Sequence, residues 1–319
     1  MKKQTQRERN PYPHSDSNKR YQTYDYYMKR RFLGKCAKIS IDAGFSCPNI
    51  DGTCGTGGCI YCSGGSSGAR GAGSVREQYE AGVSAIRSKW DVSRFVPYLQ
   101  AHTNTYAPIE VLEEIYNEAA SLPGAVMLAV ATRADCLSDE VIELLVRVSE
   151  KIPLNVELGL QSVHDGTAEL IRRGHTYSQF EDGYRRLRSA GGDIAITVHL
   201  IDGLPSESTE MMLESAKRVA ALRPDMVKLH LLHILKDTPL EKIYLSGEYI
   251  TMERDAYIDT VVRQIEVFPP ECVIARITGD APEEMLVAPD WCRKKTCVAN
   301  DIDKEMYRRD TWQGKLHFI

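Results

Sequence analysis

The sequence lacks any long apolar segment. No run approaches the roughly 18 apolar residues that a membrane-spanning helix needs, and the N-terminus has no apolar core of the kind found in signal peptides. The nine cysteines are odd in number and unevenly spread along the chain. A disulfide framework is therefore not expected, and we predict a soluble, cytoplasmic protein with no membrane partner.

Low-complexity linkers and short internal repeats are also missing from the 319 residues. From about residue 35, short apolar segments alternate with amphipathic ones, which is the pattern of a parallel sheet covered by helices. Strands are predicted over 35–41, 95–101, 125–131, 154–159, 193–200 and 225–231. Helices are predicted over 74–90, 108–121, 139–151, 164–172, 178–190, 206–222 and 252–268, with starts at Ser138, Ser178 and Ser206.

Four of the predicted strands carry polar side chains on one face. Lys38 alternates with apolar residues in the first strand, and Glu157 does so in the fourth. The same faces of the last two strands carry Thr197, His199, Lys228 and His230. Turning such groups toward a dry interior would be costly, so we interpret the interior as a wet, ligand-filled lumen. The alternatives are that some of these strands are edge strands, or that Glu157 simply pairs with a lysine inside the fold.

Positive charge is concentrated near the N-terminus, although the whole chain carries a net charge of −4. Residues 1–35 hold ten basic and three acidic side chains, and five tyrosines are interleaved with them: Tyr12, Tyr21, Tyr24, Tyr26 and Tyr27. Bases and aromatic rings in this arrangement can neutralise phosphates and stack on nucleobases. The alternative is a solvated, partly disordered tail whose tyrosines pack against the body of the fold.

Four of the nine cysteines lie in one glycine-rich stretch, residues 45–65. Cys59 and Cys62 are spaced as C-x2-C, and eleven residues separate Cys47 from Cys59. Three thiolates on such a loop suggest a soft metal site. They fit a 4Fe-4S cluster whose fourth iron has no protein ligand and can therefore bind a small molecule. A structural zinc site would need a fourth ligand, which Cys54 could supply, so the spacing alone leaves that alternative open.

These residues resemble a known family. The stretch contains Cys-Pro-Asn-x-Asp-Gly from Cys47, followed by Gly-Gly-Cys-x-aromatic-Cys ending at Cys62. This sequence resembles the expanded cysteine loop of the YtqA/YhcC-type branch of the radical S-adenosylmethionine (SAM) superfamily, a branch similar to the radical domain of the Elongator catalytic subunit. The likeness runs from about Ala37 to Gly314 and includes residues 157–162, 172–175, 201–205, 228–230 and 307–314.

The resemblance implies an α/β fold, a partial (β/α)6 TIM-like barrel of the radical SAM type with N- and C-terminal extensions. We accordingly divide the chain into a basic, tyrosine-rich extension over 1–34, a barrel core over 35–235, and a C-terminal extension over 236–319 that closes the barrel. Because the cysteine loop follows the first strand, it is expected at the C-terminal rim, where such barrels hold their active sites.

The resemblance also implies the cofactors and their ligands. Cys47, Cys59 and Cys62 would hold a 4Fe-4S cluster, and Cys54 would be a spare thiol. One electron, from a donor such as flavodoxin or ferredoxin, would cleave SAM to methionine and a 5′-deoxyadenosyl radical that abstracts hydrogen from an unactivated carbon. The residues implied to bind SAM are Tyr61 at the adenine, Gln100 at the amino group, Glu157 at the ribose, Gln161 and Arg173 at the polar end, and Gly203 by close backbone approach.

Each of these residues also has a structural explanation; Arg173, for example, can cap a helix and Gly203 can be a turn glycine. The substrate-side residues are expected to be Thr197, His199, Lys228 and His230. Lysine and histidine at these positions would suit an anionic substrate or proton transfer.

The C-terminal segment contains Cys272, Cys292 and Cys297, whose spacing lacks the compactness of a second cluster, so they are interpreted as ordinary thiols. Its bases and tryptophans, from Trp291 to Lys315, can cradle a polynucleotide together with the tail or form a solvated lid. The resemblance implies a radical SAM enzyme that remodels a modified wobble uridine in tRNA, with a carboxymethylaminomethyl side chain as the expected target. The alternatives are a radical SAM enzyme for a small metabolite and a non-catalytic, metal-dependent RNA-binding protein.

Overall fold

The computed structural model describes residues 10–63 and 73–317. Within them a seven-stranded parallel sheet has the order β1-β2-β3-β4-β5-β6-β8, and β7 pairs with β9 in a small antiparallel sheet. The strands are β1 Cys36–Ile41, β2 Arg94–Leu99, β3 Leu128–Thr132, β4 Leu154–Gln161, β5 Ile194–Asp202, β6 Met226–Leu231, β7 Ile234–Leu235, β8 Val273–Arg276 and β9 Leu286–Ala288.

The helices follow the strands in the alternation expected of an α/β fold. They are α1 Tyr24–Phe32, α2 Val75–Arg87, α3 Ile109–Ala120, α4 Asp139–Ser149, α5 Asp165–Leu170, α6 Tyr177–Ser189, α7 Thr209–Ala221, α8 Pro239–Leu245, α9 Arg254–Val267 and α10 Lys295–Arg308, with 3-10 turns at Ala134–Cys136 and Asp290–Lys294. In the described part of the chain, none of these helices is long and apolar enough to cross a membrane.

The predicted fold class is confirmed, and each of the six predicted strands is present. The third strand begins at Leu128 instead of residue 125. The residues before it do pair with β2, because Val126 donates a backbone hydrogen bond to Phe95 at 2.9 Å, but they form only an isolated bridge. Helix α1 is not predicted from the sequence, and its basic last turn lies within the predicted N-terminal extension.

Helix starts were only partly predicted. Ser138 caps α4 as expected, and its side chain accepts a hydrogen bond from the amide of Val141. The predictions of Ser178 and Ser206 are wrong. Thr176 caps α6 in a reciprocal arrangement with the side chain of Gln179, and Ser208 caps α7. A capping box needs a glutamine or glutamate three residues after the cap. Thr176, with Gln179, and Ser178, with Glu181, both have this spacing, but the helix begins at Tyr177, so Ser178 lies inside it.

The chain forms two compact units. The first, here called the C-terminal unit, comprises residues 1–27, 161–167 and 198–319. The second, the loop unit, comprises residues 28–160 and 168–197 and contains the cysteine loop.

One base and two tyrosines of the N-terminal segment are buried within the C-terminal unit. Tyr12 is 3% exposed and its hydroxyl donates a hydrogen bond to the carbonyl of Pro270 at 2.7 Å. Tyr21 is equally buried, and Arg20 binds the carboxylate of Asp310 at 2.9 Å. For these residues the alternative interpretation is confirmed, since the tyrosines pack against the body of the fold.

Bases near the C-terminus of the same unit are paired with acids. Arg309 lies 2.7 Å from Asp259, and both Arg308 and Arg309 bind Glu305 at 2.6 Å. Trp291 donates to the carbonyl of Met252 at 3.1 Å. These contacts reduce the net positive charge available to a polyanion.

In the loop unit, α6 packs directly on the 3-10 turn Ala134–Cys136. A Cβ added at Gly183 would overlap the carbonyl oxygen of Ala134. Glycine at this position therefore allows the helix to approach a turn that carries Asp135.

We expect Gly183→Ala to lower the free energy of unfolding by about 1–3 kcal/mol, because the added methyl group overpacks this contact. Denaturant unfolding of the cluster-free protein measures the change. Gly166→Ala is the matched control, since Gly166 is exposed in α5 and a Cβ there meets nothing within 4 Å. Equal losses in the two variants would contradict this explanation.

Candidate metal centre

The cysteine loop follows the end of β1 and is folded by its own backbone. Carbonyls of three successive residues accept hydrogen bonds of 2.7–2.8 Å: Cys47 from Ile50, Pro48 from Cys54 and Asn49 from Gly58. Gly57 and Gly58 have φ values of 79° and 75°, a region that glycine adopts without steric cost. The glycine-rich composition thus allows a compact turn around Asn49.

The four thiols of this loop differ in exposure. Cys59 is buried, Cys47 is half-buried, and Cys54 and Cys62 are exposed. The amide of Cys62 donates to the carbonyl of Cys59 at 2.9 Å. Across residues 10–63 and 73–317, no three His, Cys, Asp or Glu side chains form a group that could hold a metal ion. The structure therefore places the predicted cluster ligands on one loop without converging them into a closed ligand group.

The cysteine loop is hydrogen-bonded to residues 171–174, the segment that follows α5. Ile60 donates its amide to the carbonyl of Ile171 at 3.1 Å, and the side chain of Asn49 donates to the carbonyl of Arg172. The next two carbonyls, of Arg173 and Gly174, accept from Arg133 at 2.9 and 3.1 Å. Four consecutive carbonyls are thus bound, which fixes the position of Arg173 relative to the loop.

Arg133 is itself held by an ion pair. Its guanidinium binds both carboxylate oxygens of Asp135 at 2.7 and 3.0 Å. Burial alone would raise the pKa of Asp135, but the hydrogen bonds and charge of Arg133 hold it below its usual value. Burial and the nearby Arg173 lower the pKa of His175 to about 4, so this imidazole is neutral at pH 7.

Arg173 has an unused donor. It is 6% exposed, and one terminal nitrogen donates to the carbonyl of Gly159. Its Nε is buried and has no hydrogen-bond partner among the described residues, and the same is true of the hydroxyl of Ser63 next to Cys62. Buried polar atoms normally find partners. A buried cation with an unused donor fits the carboxylate of an amino-acid-like ligand, and cysteine thiols fit a soft metal.

Glu157 lies at the centre of a buried polar network. Its side chain is fully buried, and its carboxylate accepts from Lys38 at 2.5 Å, from the Tyr98 hydroxyl at 2.7 Å and from Asn155 at 3.1 Å. Thr197 donates to the Asn155 side chain at 2.7 Å. The alternative that Glu157 pairs with a lysine inside the fold is therefore confirmed. A ligand hydroxyl would have to share the carboxylate with these donors.

Two further predicted residues lie in the loop unit. Gln100, just beyond β2, accepts a hydrogen bond from Ser40 at 2.6 Å. Tyr61 is half-buried between Ile60 and Cys62. Burial, and then the charge of the Cys59 thiolate, raise the pKa of Tyr61 well above its usual value.

The other predicted residues lie in the C-terminal unit. Gln161 ends β4 with a φ of 76°. The rings of His199 and His230 have centroids 5.3 Å apart, and Lys228 is 5% exposed. Gly203 has a φ of 81°, and the Tyr249 hydroxyl donates to its carbonyl at 2.5 Å.

Sequence reasoning missed three buried polar residues: Asn49, Arg133 and Asp202. Burial raises the pKa of Asp202 to about 7 although Gln264 donates a hydrogen bond to its carboxylate. Asn49 and Asp202 both belong to the segments that carry the family resemblance, and their positions there were the available signal. Arg133 carried none, because an isolated arginine after a strand is usually solvated.

Comparison with known proteins identifies two matching families. Residues 50–219 match the Radical SAM superfamily, and residues 224–308 match the Radical_SAM C-terminal domain.

Individual relatives extend these matches. The protein YtqA of Bacillus subtilis is 41% identical over 310 residues, which cover 96% of each chain. A tRNA uridine(34) acetyltransferase of Methanocaldococcus infernus is 26% identical over 165 residues, 51% of this chain and 30% of that protein. The structure of an N-terminally truncated Elp3 from M. infernus superposes with a TM-score of 0.66 at 19% identity, covering 87% of this chain and 64% of that one. At this identity the superposition shows a shared fold.

We expect Lys38→Met to lower the free energy of unfolding by about 2–4 kcal/mol, because it leaves the buried carboxylate of Glu157 without its cation. Denaturant unfolding of the cluster-free protein measures this change. The double variant Lys38→Met/Glu157→Gln removes both charges and should recover part of the loss. A single variant as stable as the wild type would show that the ion pair contributes nothing.

Proposed function

We propose that this chain, which belongs to the radical SAM superfamily and has a 4Fe-4S cluster and SAM as its cofactors, modifies tRNA. The proposed substrate is a modified wobble uridine whose side chain, of the carboxymethylaminomethyl type, is remodelled. The single observation that carries this substrate is the match of half the chain to a tRNA uridine(34) acetyltransferase.

Cys47, Cys59 and Cys62 are the proposed cluster ligands. They are thiols that form no disulfide, on the loop that follows β1, and three such ligands leave one iron open for SAM. Cys54 is the proposed bystander. Its amide closes the turn on Pro48, while its exposed thiol is not needed for a three-ligand cluster.

When bound, the cluster and SAM would supply the chemistry for taking a hydrogen atom from an unactivated carbon. The protein binds and orients the cofactor. Arg173 offers its unused Nε to the SAM carboxylate, and Glu157 offers its buried carboxylate to the ribose. The remaining proposed cofactor contacts are Gln100 at the amino group, Gln161 at the polar end, Tyr61 at the adenine and Gly203 at the backbone.

The proposed substrate-side residues are Thr197, His199, Lys228 and His230. Lys228 is a buried cation, and the two histidines lie next to each other. This combination suits an anionic side chain such as a carboxymethyl group and can exchange protons with it. A one-electron donor such as flavodoxin or ferredoxin is the proposed redox partner.

The support for tRNA comes from the relatives more than from the basic termini. Arg20, Arg308 and Arg309 all pair with acids, which leaves less net positive charge for phosphates than the composition suggests.

We expect Cys59→Ala to abolish reductive SAM cleavage, because the cluster would lose one of three ligands. The measurement is 5′-deoxyadenosine formed by anaerobically reconstituted protein with dithionite. Cys54→Ala is the matched control on the same loop. Because Cys54 is not a proposed ligand, this variant should keep its iron content and its rate of SAM cleavage within about twofold of the wild type, which corresponds to less than about 0.5 kcal/mol in the barrier. Loss of both the iron and the SAM cleavage in Cys54→Ala would instead indicate that Cys54 is a ligand.

We expect the reconstituted protein to bind tRNA in a gel shift at moderate salt, and cells lacking the protein to accumulate an altered wobble nucleoside. Mass spectrometry of tRNA nucleosides from such cells identifies the modification. SAM cleavage without tRNA binding and with an unchanged nucleoside profile would favour a small-metabolite substrate. Binding of RNA without any SAM cleavage would favour a non-catalytic RNA-binding protein.

A further inference from the structure

Asn49 joins a predicted cluster ligand to the segment that carries Arg173. It is 3% exposed. Its Nδ2 donates to the Sγ of Cys59 at 3.4 Å and also to the carbonyl of Arg172. One amide group thus uses both hydrogens on acceptors from different parts of the loop unit.

The orientation of this amide follows from its neighbours. A carbonyl oxygen only accepts hydrogen bonds, and a thiolate likewise only accepts. The NH2 group of Asn49 must therefore face Cys59 and Arg172, and its Oδ1 must point the other way.

Two glycines enclose the opposite side of the amide. A Cβ at Gly55 would lie 2.7 Å from the Oδ1 of Asn49, and a Cβ at Gly174 would lie 2.6 Å from the same atom. Gly174 also has a φ of 76°, which disfavours other residues. The amide is therefore confined to one position, and its hydrogen bond to Cys59 is held by packing on both sides.

A hydrogen bond to a cluster thiolate has a redox consequence. Reduction adds negative charge to the cluster and its sulfur ligands, so a donor aimed at a sulfur stabilises the reduced form more than the oxidised form. Hydrogen bonds to sulfur are among the factors that set the potentials of iron–sulfur centres, and residues that contact ligands often tune the metal.

We propose that Asn49 is a positioning residue that raises the reduction potential of the cluster through its hydrogen bond to the Cys59 thiolate. This inference rests on the proposed ligation of the cluster by Cys59. Asn49 also donates to the carbonyl of Arg172, so the residue that tunes the cluster is bound to the backbone next to Arg173.

Asparagine suits this role better than aspartate or alanine. Aspartate would place a negative charge beside the thiolate and would offer no donor when ionised. Alanine would remove both hydrogen bonds and leave the carbonyl of Arg172 without this partner.

The test is the midpoint potential of the reconstituted cluster, measured without SAM by anaerobic titration followed by electron paramagnetic resonance. Asn49→Ala should lower the reduced-to-oxidised ratio at a fixed solution potential about tenfold, which for a one-electron couple corresponds to about 59 mV. Asn49→Asp keeps the size of the side chain and should shift the potential in the same direction by at least as much.

Asn104→Ala is the matched control for loss of a buried asparagine. Asn104 donates to the backbone carbonyls of Leu99, Ala101 and Ala131 at 2.9–3.0 Å and is fully buried. Its loss should reduce stability without changing the potential of the cluster. If this control moves the potential as far as Asn49→Ala, the effect is general loosening and the proposal is wrong.

The remaining outcomes separate this proposal from the proposed function. An unchanged potential in Asn49→Ala and Asn49→Asp, with the wild-type cluster intact, would refute the role of Asn49 alone. Folded variants that hold no iron would also refute it, because Asn49 would then serve assembly and not tuning. A wild-type protein that assembles no cluster would refute both the proposed metal centre and this inference.

Discussion

The backbone carbonyls of residues 171–174 are the anchor on which the candidate metal centre depends. The cysteine loop binds the first two through Ile60 and Asn49, and Arg133 binds the other two. A loop rich in glycine loses much conformational entropy when it becomes ordered. Several hydrogen bonds to one rigid segment offset that loss, so the position of Cys59 and the position of Arg173 are set together.

Two ion pairs of the loop unit each place at least one charge in the interior. Arg133 pairs with Asp135, and Lys38 pairs with Glu157. Burying charges is expensive unless each has a partner and further hydrogen bonds, and both pairs meet that condition through neighbouring carbonyls or hydroxyls. Arg173 differs, because its Nε is buried and unpartnered within the described residues. The difference is the main structural reason for assigning Arg173 to a ligand and the other two cations to the fold.

Much of the fold follows from local patterns. Alternating strand and helix periods predicted the six strands of the barrel region, and a serine before an amphipathic run predicted the start of α4. The same local rule failed at Ser178, because Thr176 and Ser178 both have a capping-box partner three positions later and the structure uses the earlier pair. Helix α1 was missed because its charged and aromatic residues show no apolar face in isolation.

At the candidate site, too, local patterns predicted some features and missed others. The residues that carry the family resemblance, together with the cysteine spacing, indicated the cluster loop, and polar residues within strands indicated a polar interior around Glu157. They offered a lysine partner for Glu157 only as an alternative, and they did not indicate that Lys38 is that lysine or that the Tyr98 hydroxyl binds the same carboxylate, since these partners come from separate strands. Nor did they show that Tyr12 and Tyr21 are buried instead of free to stack on nucleic acid.

The sequence by itself determined the chemistry available to this protein: soft thiolates in a glycine-rich loop, a parallel α/β sheet, and membership of the radical SAM superfamily. These features are encoded by residue type and short-range spacing. Only the tertiary structure decided which polar groups are paired, which donor remains unused, and that Asn49 contacts Cys59. The partners of Glu157 come from distant parts of the chain, and Asn49 and Cys59, ten residues apart, meet through the fold of their loop. The energies of all these contacts depend on burial and orientation that no local pattern specifies.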